Sequence, residues 1–395
     1  MADGSTALVK SPNVITSPDP VNHYIRYYYN LRYNRAQYDR KWQLASDYIL
    51  ARRDFTVATR PNQLRPHRIT SQVATQANAR AAAFVLAYLI DPTRPNLLPS
   101  VKRGLAMAGR STELDDEGIG YLDQTAWTIF DHMMLPRARL MLAFNSILQE
   151  FCCFGCGVMW IGRKRGFGPY YQARPLEACW WAENEQGEID TLYFRQLLPV
   201  WRVVQRWPKA GRLPGWGEKT ELEQRDEWEM TPIIAAVEPR MGGRSGAVNE
   251  AKPFKWVIIS EEKKAILAES GFDSFPYAVF RYNNFPGNAY AEGMGISVLA
   301  EVMVLNHLQM AIEDIVEQKA MPPLAWPVRM FAKPLDRRPG APNAYNPAGL
   351  GIQSAKDAII KLDLTGDPGP ALEHIKYLSD VIDRGYFVDW MNLRE

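Results

Sequence analysis

The chain has 395 residues, of which 47% are hydrophobic and 23% charged; this is the balance of a folded protein large enough for two or three lobes, and it excludes a disordered chain. No apolar run reaches the roughly 18 residues that a membrane span needs, and Met1–Pro20 is polar and proline-bearing, without a signal-peptide core. A net charge of +2 hides a polarity, because residues 1–110 carry 16 Lys and Arg against 6 Asp and Glu, leaving 30 against 38 over the rest. A basic first part suits nucleic acid, an acidic partner or an acidic neighbouring subunit.

The first predicted element covers residues 22–55. Tyrosine and arginine mix in "HYIRYYYNLRYNRAQYDRKW", and Tyr24, Tyr28, Leu31 and Tyr38 fall near one side of a helix. Aromatic plus basic residues serve base stacking in single-strand binders and serve equally well at subunit contacts, so both readings stand here. Segments 69–90 and 121–150 are predicted helices, with Pro136 either kinking the second or dividing it in two.

Of the four cysteines, Cys152, Cys153 and Cys156 lie in "CCFGCG", which joins the end of an apolar helix to a strand-like "GVMWIG"; Cys179 is the fourth. The five histidines (His23, His67, His132, His307 and His374) are scattered. A zinc site would want two well-spaced cysteine pairs or partnering histidines, so reduced, buried thiols and no metal are expected.

From 157 to 282 the pattern changes to short strands: "GVMWIG", then "EACWWAE" and "IDTLYFR" across the turn "NEQG", then "PIIAAVEP", "FKWVIIS" and "YAVFRY". This predicts a strand-rich α+β lobe and not alternating βαβ units. Within it, "GRLPGWGEKTE" at 211–221 comes nearest to a phosphate loop. Glu218 interrupts the required Gly-Lys-Ser/Thr succession, and the preceding "PVWRVVQRW" reads as a helix opened by Pro199, where a phosphate loop follows a strand. With no paired-carboxylate or histidine site either, neither an enzyme nor a cofactor is expected.

The stretch "FPGNAYAEGMGISVLAEV", residues 285–302, sets a glycine-punctuated turn before the longest apolar-periodic segment. Its glycines lack the dinucleotide-binding spacing and Glu292 sits among them, so the turn is read as aiming a helix and not as holding phosphate. Val298, Val302, Leu305, Ile312, Ile315 and Val316 then recur at three- and four-residue steps to Ala320, predicting a helix of about 24 residues and about 36 Å. Glu301, Asn306, Gln309, Glu313, Glu317 and Gln318 are assigned to its opposite, polar face. "MPPLAWP" stops it, because neither Pro322 nor Pro323 continues a helix. Residues 324–332 are a predicted strand, 333–357 a Pro/Gly-rich loop, and "IIKLDL" a second strand. "GDPGP" then opens a helix with Leu372, Ile375, Leu378 and Ile382 on one face. The order is long helix, two-stranded knob, long helix.

Over roughly residues 120–395 this sequence resembles the portal, or head-to-tail connecting, proteins of tailed double-stranded DNA phages, particularly the short-tailed group. The most specific part is "FPYAVFRYNNFPGNAYAEGMGISVLAEVMVLNHLQMAIEDIVEQKAMPPL", where Arg281, Tyr290, Leu299, Glu301, Leu305 and Asn306 fit the family's arginine-bearing strand, turn and stem helix. Ala291, Glu292, Gly293 and Met294 depart from the family's Gly-Arg-Ser-Pro portion, so the role of that arginine does not transfer. "FNSILQEFCCFGCGVMWI" is similar to the family's helix entering a glycine-bearing strand.

The resemblance implies an α+β portal fold with an α/β wing, a two-helix stem and a small α/β clip, assembled as a ring that is typically a dodecamer. Residues 1–118 would be a basic N-terminal part of the wing, 119–290 the rest of the wing, and 291–320 the first stem helix. Residues 321–369 would be the clip and 370–395 the start of the second stem helix, with tunnel loop and crown not represented. In such a ring Val298, Val302, Leu305, Ile312 and Val316 would pack on neighbouring subunits, while Gln309, Glu313 and Glu317 would face the channel or merely solvate a helix. Arg329, Lys333, Arg337 and Arg338 of the clip would dock the packaging motor, the terminase large subunit, and afterwards the tail adaptor. The implied protein belongs to the virion, is assembled in the host cytoplasm, meets major capsid and scaffold proteins, and passes double-stranded DNA without enzymatic activity. The runner-up is a non-enzymatic DNA-binding protein using the basic Tyr/Arg-rich N-terminal region.

Overall fold

A computed structural model describes residues 20–51, 55, 68–91, 94–95, 116–164, 166, 168–213, 216, 229–240, 252–283, 285–320, 324–325, 360–361 and 368–389. Helices and antiparallel sheets are segregated along the chain, an α+β arrangement. Helix α1 (Pro20–Tyr48) is followed by α2 (Val73–Leu89) and α3 (Asp116–Met134). Pro136 divides the next predicted helix instead of kinking it. A 3-10 turn spans Pro136–Ala138, Arg139 takes the left-handed conformation at φ 62°, and α4 (Leu140–Phe154) starts afresh.

The strand-rich part forms two sheets. Strands β1 (Cys156–Lys164) and β2 (Gly168–Arg174) form an antiparallel hairpin, and β8 (Tyr277–Arg281) returns to the other edge of β1, giving the order β2-β1-β8. Between them lies an antiparallel meander of β3 (Cys179–Glu183), β4 (Ile189–Pro199), β5 (Met230–Pro239), β6 (Phe254–Ser260) and β7 (Ala265–Phe272). The "NEQG" turn works as the residue types predict: Asn184 Oδ1 accepts from the backbone N–H groups of Gln186 and Glu188, both at 2.9 Å, and Gly187 supplies the positive φ. The helix α5 (Val200–Arg206) begins directly after Pro199 and buries Val200 and Val203. A further 3-10 turn, Pro208–Arg212, leads into "GRLPGWGEKTE", so helical structure and not a strand precedes that stretch.

Helix α1 lies on the meander. Its residues Tyr24, Tyr28 and Leu31 are buried against Trp180, Tyr193 and Ile234. Of the tyrosines assigned to one side, Tyr24 and Tyr28 are therefore core and present no face to a base, while Tyr29 and Tyr33 stay exposed on the other side. The buried end of the pattern is arginine. Arg35 is 0% exposed and donates to the carbonyls of Leu176 (2.9 Å), Glu177 (3.0 Å) and Cys179, with its guanidinium 4.4 Å from the Trp180 ring centre. Its Nε lies 2.8 Å from Asp39 Oδ1, one helical turn on, an ion pair without hydrogen-bond alignment. Burial raises the Asp39 carboxyl above its ordinary range, against the pull of Arg35. A cation is tolerated at this depth because three carbonyls, a carboxylate and a ring face surround it.

Helix α2 meets α4 through an alanine face, Ala74, Ala77, Ala81 and Ala82, which lets the two helices approach closely, and Asn78 Nδ2 donates to Gln149 O at 3.2 Å. All four thiols are free and buried. No helix among the described residues is long and apolar enough to cross a membrane, and no group of His, Cys, Asp or Glu among them could hold a metal ion.

Burial pushes the thiols of Cys152 and Cys156 up to about 12 from their usual 9.0, and the phenol of Tyr28 up to about 12 from 10.0. Because these folded-state values are raised, the unfolded chain releases its protons first, and the stability they hold in full below pH 9 is lost as pH climbs towards 12. Urea midpoints measured across that range should fall steadily. At pH 8 the native chain should leave all four cysteines unreacted with a thiol reagent, whereas the urea-unfolded chain should react at all four.

Candidate functional site

The glycine turn joins three elements by backbone contact. Gly155 caps the C-terminus of α4 at φ 89°, and a Cβ there would lie 2.4 Å from both Glu292 C and Gly293 N. A Cβ on Gly293 would lie 2.3 Å from Gly155 N, and one on Gly295 would lie 2.8 Å from Cys153 O and from Tyr386 Oη. Two main chains cross here with no room for a side chain between them. Beside the crossing, Ala291 N–H points to Cys156 Sγ at 3.3 Å and Tyr282 N–H donates to Gly155 O at 2.9 Å.

Aromatic rings seal this crossing from above. Tyr290, 5% exposed, has its ring centre 4.4 Å from Trp181, 5.3 Å from Tyr38 and 5.7 Å from Trp42. Trp181 N–H donates to Tyr290 Oη at 3.3 Å, and Trp181 Nε1–H to Ala289 O at 2.7 Å. Trp42 Nε1–H donates to Phe154 O at 3.1 Å, which ties α1 to the end of α4. Glu292, whose charge argued against phosphate, pairs with Lys41 of α1; Arg281 pairs with Glu183 across the two sheets.

From this base a short turn, α6 (Met294–Ser297), leads into α7 (Leu299–Ala320), 22 residues and about 33 Å long. The helix α8 (Gly369–Gly385) packs alongside through Leu378 and Ile382. Its end lies at the start of α7, where a Cβ on Gly385 would fall 2.2 Å from Val298 Cγ1. At the far end two short strands, β9 (Leu324–Ala325) and β10 (Ile360–Lys361), pair antiparallel. The two long helices are thus an antiparallel pair joined through the knob segment.

The division of α7 differs from the predicted one. Val298, Val302 and Leu305 are buried, but so is Asn306, at 2% exposure, while Val316 is 58% exposed and Ile312 half-buried. At 100° per residue Gln309 and Glu313 continue the stripe of Val302 and Leu305 instead of opposing it. The helix therefore divides along its length: one face is core up to Asn306, and beyond it the same stripe, with Gln309, Glu313 and Val316, leaves the core. Gln309 Nε2 donates to Glu313 Oε1 at 3.3 Å on this open half, and Glu317 is exposed one turn on. Val298, Val302 and Leu305, expected at subunit contacts, are taken up inside their own chain. Arg329, Lys333, Arg337 and Arg338 lie outside the described residues.

Asn306 is the site residue whose task periodicity alone misassigned. Its Oδ1 accepts from Thr70 N (2.7 Å), Ser71 N (2.9 Å) and Thr70 Oγ1 (2.9 Å), and its Nδ2 donates to Val302 O at 2.8 Å. It thereby pins the chain just ahead of α2 onto the long helix. An asparagine beside Leu305 in the apolar stripe was the available signal, since a buried amide must find partners.

Replacing Asn306 with alanine removes the acceptor of the part-buried Thr70 and Ser71 N–H groups and should lower stability by about 1–2 kcal/mol in urea denaturation. Amide exchange at Thr70 and Ser71 should accelerate, and Asn306→Asp, which keeps the acceptor, should lose less. Gly155→Ala should cost about 2 kcal/mol or more by the same measurement, because both its φ and its neighbours forbid a Cβ.

A model of the family described as bacteriophage head to tail connecting protein matches residues 21–395. A curated relative, the "Probable portal protein" of Bordetella phage BPP-1, is 25% identical over 367 residues, covering 89% of this chain and 61% of the relative. The chain thus spans about three-fifths of the length of that relative. The match takes in the glycine crossing, the paired long helices and the knob that joins them, and the chain belongs to the bacteriophage head to tail connecting protein family.

Proposed function

We propose that this chain is a subunit of a phage portal, a non-enzymatic ring in the virion through which double-stranded DNA is packaged and ejected. The observation that carries this reading is the family match over residues 21–395, and the name of the Bordetella phage relative agrees with it. In this reading α1 to β8 make up the wing, with 1–118 as its basic N-terminal part. Helix α7, within 291–320, is the first stem helix, α8, within 370–395, is the start of the second, and 321–369 form the clip. A dodecamer of the short-tailed phage type would then turn each side chain of the open half of α7 into a ring of side chains. Gln309, Glu313 and Glu317 would line the channel, where acidic groups let a duplex slide without gripping its phosphates. The excess of 38 acidic over 30 basic residues beyond residue 110 suits such a passage.

Assembly finds support in what the chain leaves uncovered. Tyr121, Trp127 and Ile129 on α3 are 69%, 46% and 43% exposed, and Val316 and Tyr377 stand out on the stem pair. These exposed side chains offer a neighbouring subunit apolar surface to pack on. Of the residues first assigned to subunit packing, Ile312 and Val316 keep surface for that purpose. The clip cations Arg329, Lys333, Arg337 and Arg338 would dock the terminase large subunit and then the tail adaptor, and the basic N-terminal part would meet capsid or scaffold protein or DNA.

Negative-stain microscopy and mass photometry of the purified chain should show rings with a central opening; a monomer that shifts labelled DNA would instead favour the DNA-binding reading. Val316→Asp should weaken ring assembly while the monomer keeps its circular dichroism, and unchanged rings would remove Val316 from the contact. Arg337→Glu with Arg338→Glu should leave rings intact but reduce motor or tail attachment, read by packaging and tail-joining assays.

A further inference from the structure

The two sheets do not close on one another. Between them lies a cleft of about 900 Å³, walled on one side by β1, β2 and the approach to β8 and on the other by β4 to β7, with the end of α5 at one rim. Strand alternation puts Trp160, opposite Gln172 and Tyr277, and Gly162, opposite Tyr170, on one face of β1, while Arg163 alternates away from them at the rim. The Trp160 indole lies flat over Gly162, where a Cβ would come within 2.1 Å of its ring. That glycine lets the ring fold onto the strand and keeps the space beside it open. Phe194 and Trp256 face it from the meander.

Arg174 and Arg206 line the same cleft, and Arg163 borders its rim. Arg174 sits 4.3 Å over the Phe194 ring and 5.5 Å over Trp160, and its buried Nε has no hydrogen-bond partner. Arg206 lies 5.2 Å over Trp207, and Arg163 is exposed on β1. Among the described residues none of the three has a carboxylate partner within 4.0 Å. The lining carboxylate Asp273 is 86% exposed and turned to Lys252 at 3.6 Å. A cleft of this size that combines aromatic rings with unneutralised cations suits an occupant with both apolar groups and negative charge.

We propose that this cleft is a docking site for an acidic peptide segment of a partner protein, its carboxylates meeting Arg174 and Arg206 and, at the rim, Arg163, and its apolar side chains entering between Trp160, Phe194 and Trp256. The alternative class, single-stranded nucleic acid, needs free ring faces on which bases stack. Here those faces are taken: Arg174 covers Phe194 and Trp160, Arg206 covers Trp207, and Trp256 leans on Phe272 at 5.6 Å. Apolar side chains can still insert between ring edges, and tryptophan with arginine is the pairing that dominates protein–protein hot spots. The site is independent of the channel reading, because it lies in the sheets and not on the long helices.

The test uses the full chain and a fluorescein-labelled peptide about ten residues long in which glutamate alternates with leucine and phenylalanine. Fluorescence anisotropy should rise saturably and weaken with added salt, and Arg163→Glu with Arg206→Glu should raise Kd by about tenfold or more. Both arginines are exposed, so circular dichroism of that variant should match the parent. Three results would overturn the proposal: no saturable binding of the acidic peptide, equal binding of its glutamine counterpart or by the double variant, or displacement of the peptide by labelled oligothymidine that itself binds saturably.

Discussion

The architecture depends on one steric constraint, the crossing of two main chains at Gly155 and Gly293. The end of α4, the start of β1 and the turn before α7 approach so closely there that a methyl group on Gly155, Gly293 or Gly295 would collide with backbone. Because the contact is backbone to backbone, it fixes the position from which the long helix departs without relying on flexible side chains. The rings of Tyr290, Trp181, Trp42 and Tyr38 then exclude water from it, and Trp42 and Lys41 bring α1 to the same place. Three distant parts of the chain converge where the local sequence has least bulk.

From that fixed base α7 changes character along its length. Its first half is held on several sides, by α8 through the Val298–Gly385 contact and by the chain ahead of α2 through Asn306. Its second half leaves the core, which is why Val316 is exposed although it stands in line with Leu305. A rod anchored at one end and free at the other has surface for neighbours, whereas a helix buried throughout has none. Its weak amphipathicity follows from this division, because the same stripe must satisfy a core over one stretch and solvent or another subunit over the next.

Aromatic and basic residues occur together twice in this protein, with opposite fates. On α1, Tyr24, Tyr28 and Arg35 are consumed by the fold: the rings pack on the meander and the guanidinium caps three carbonyls. Between the sheets, Arg174 and Arg206 stand over rings with no carboxylate partner within 4.0 Å among the described residues. Composition is the same in the two places. What differs is whether backbone acceptors lie within reach, and that is a property of the packing.

The sequence alone determined the elements and much of their order. The α+β class, the hairpin across "NEQG", the helix opened by Pro199, the buried reduced thiols and the helix–knob–helix order are all local consequences of periodicity, turn chemistry and proline. It also determined that the turn before α7 directs a helix, since Glu292 and the glycine spacing oppose phosphate. Only the tertiary structure decided that Pro136 separates two helices, that Asn306 is interior and that Val316 is not. It alone brought Gly155 against Gly293, and it left the two sheets apart. The reason is that periodicity specifies which residues share a face, while burial of that face depends on how far the neighbouring elements extend along it, and close backbone approach between segments more than a hundred residues apart leaves no local pattern except a glycine.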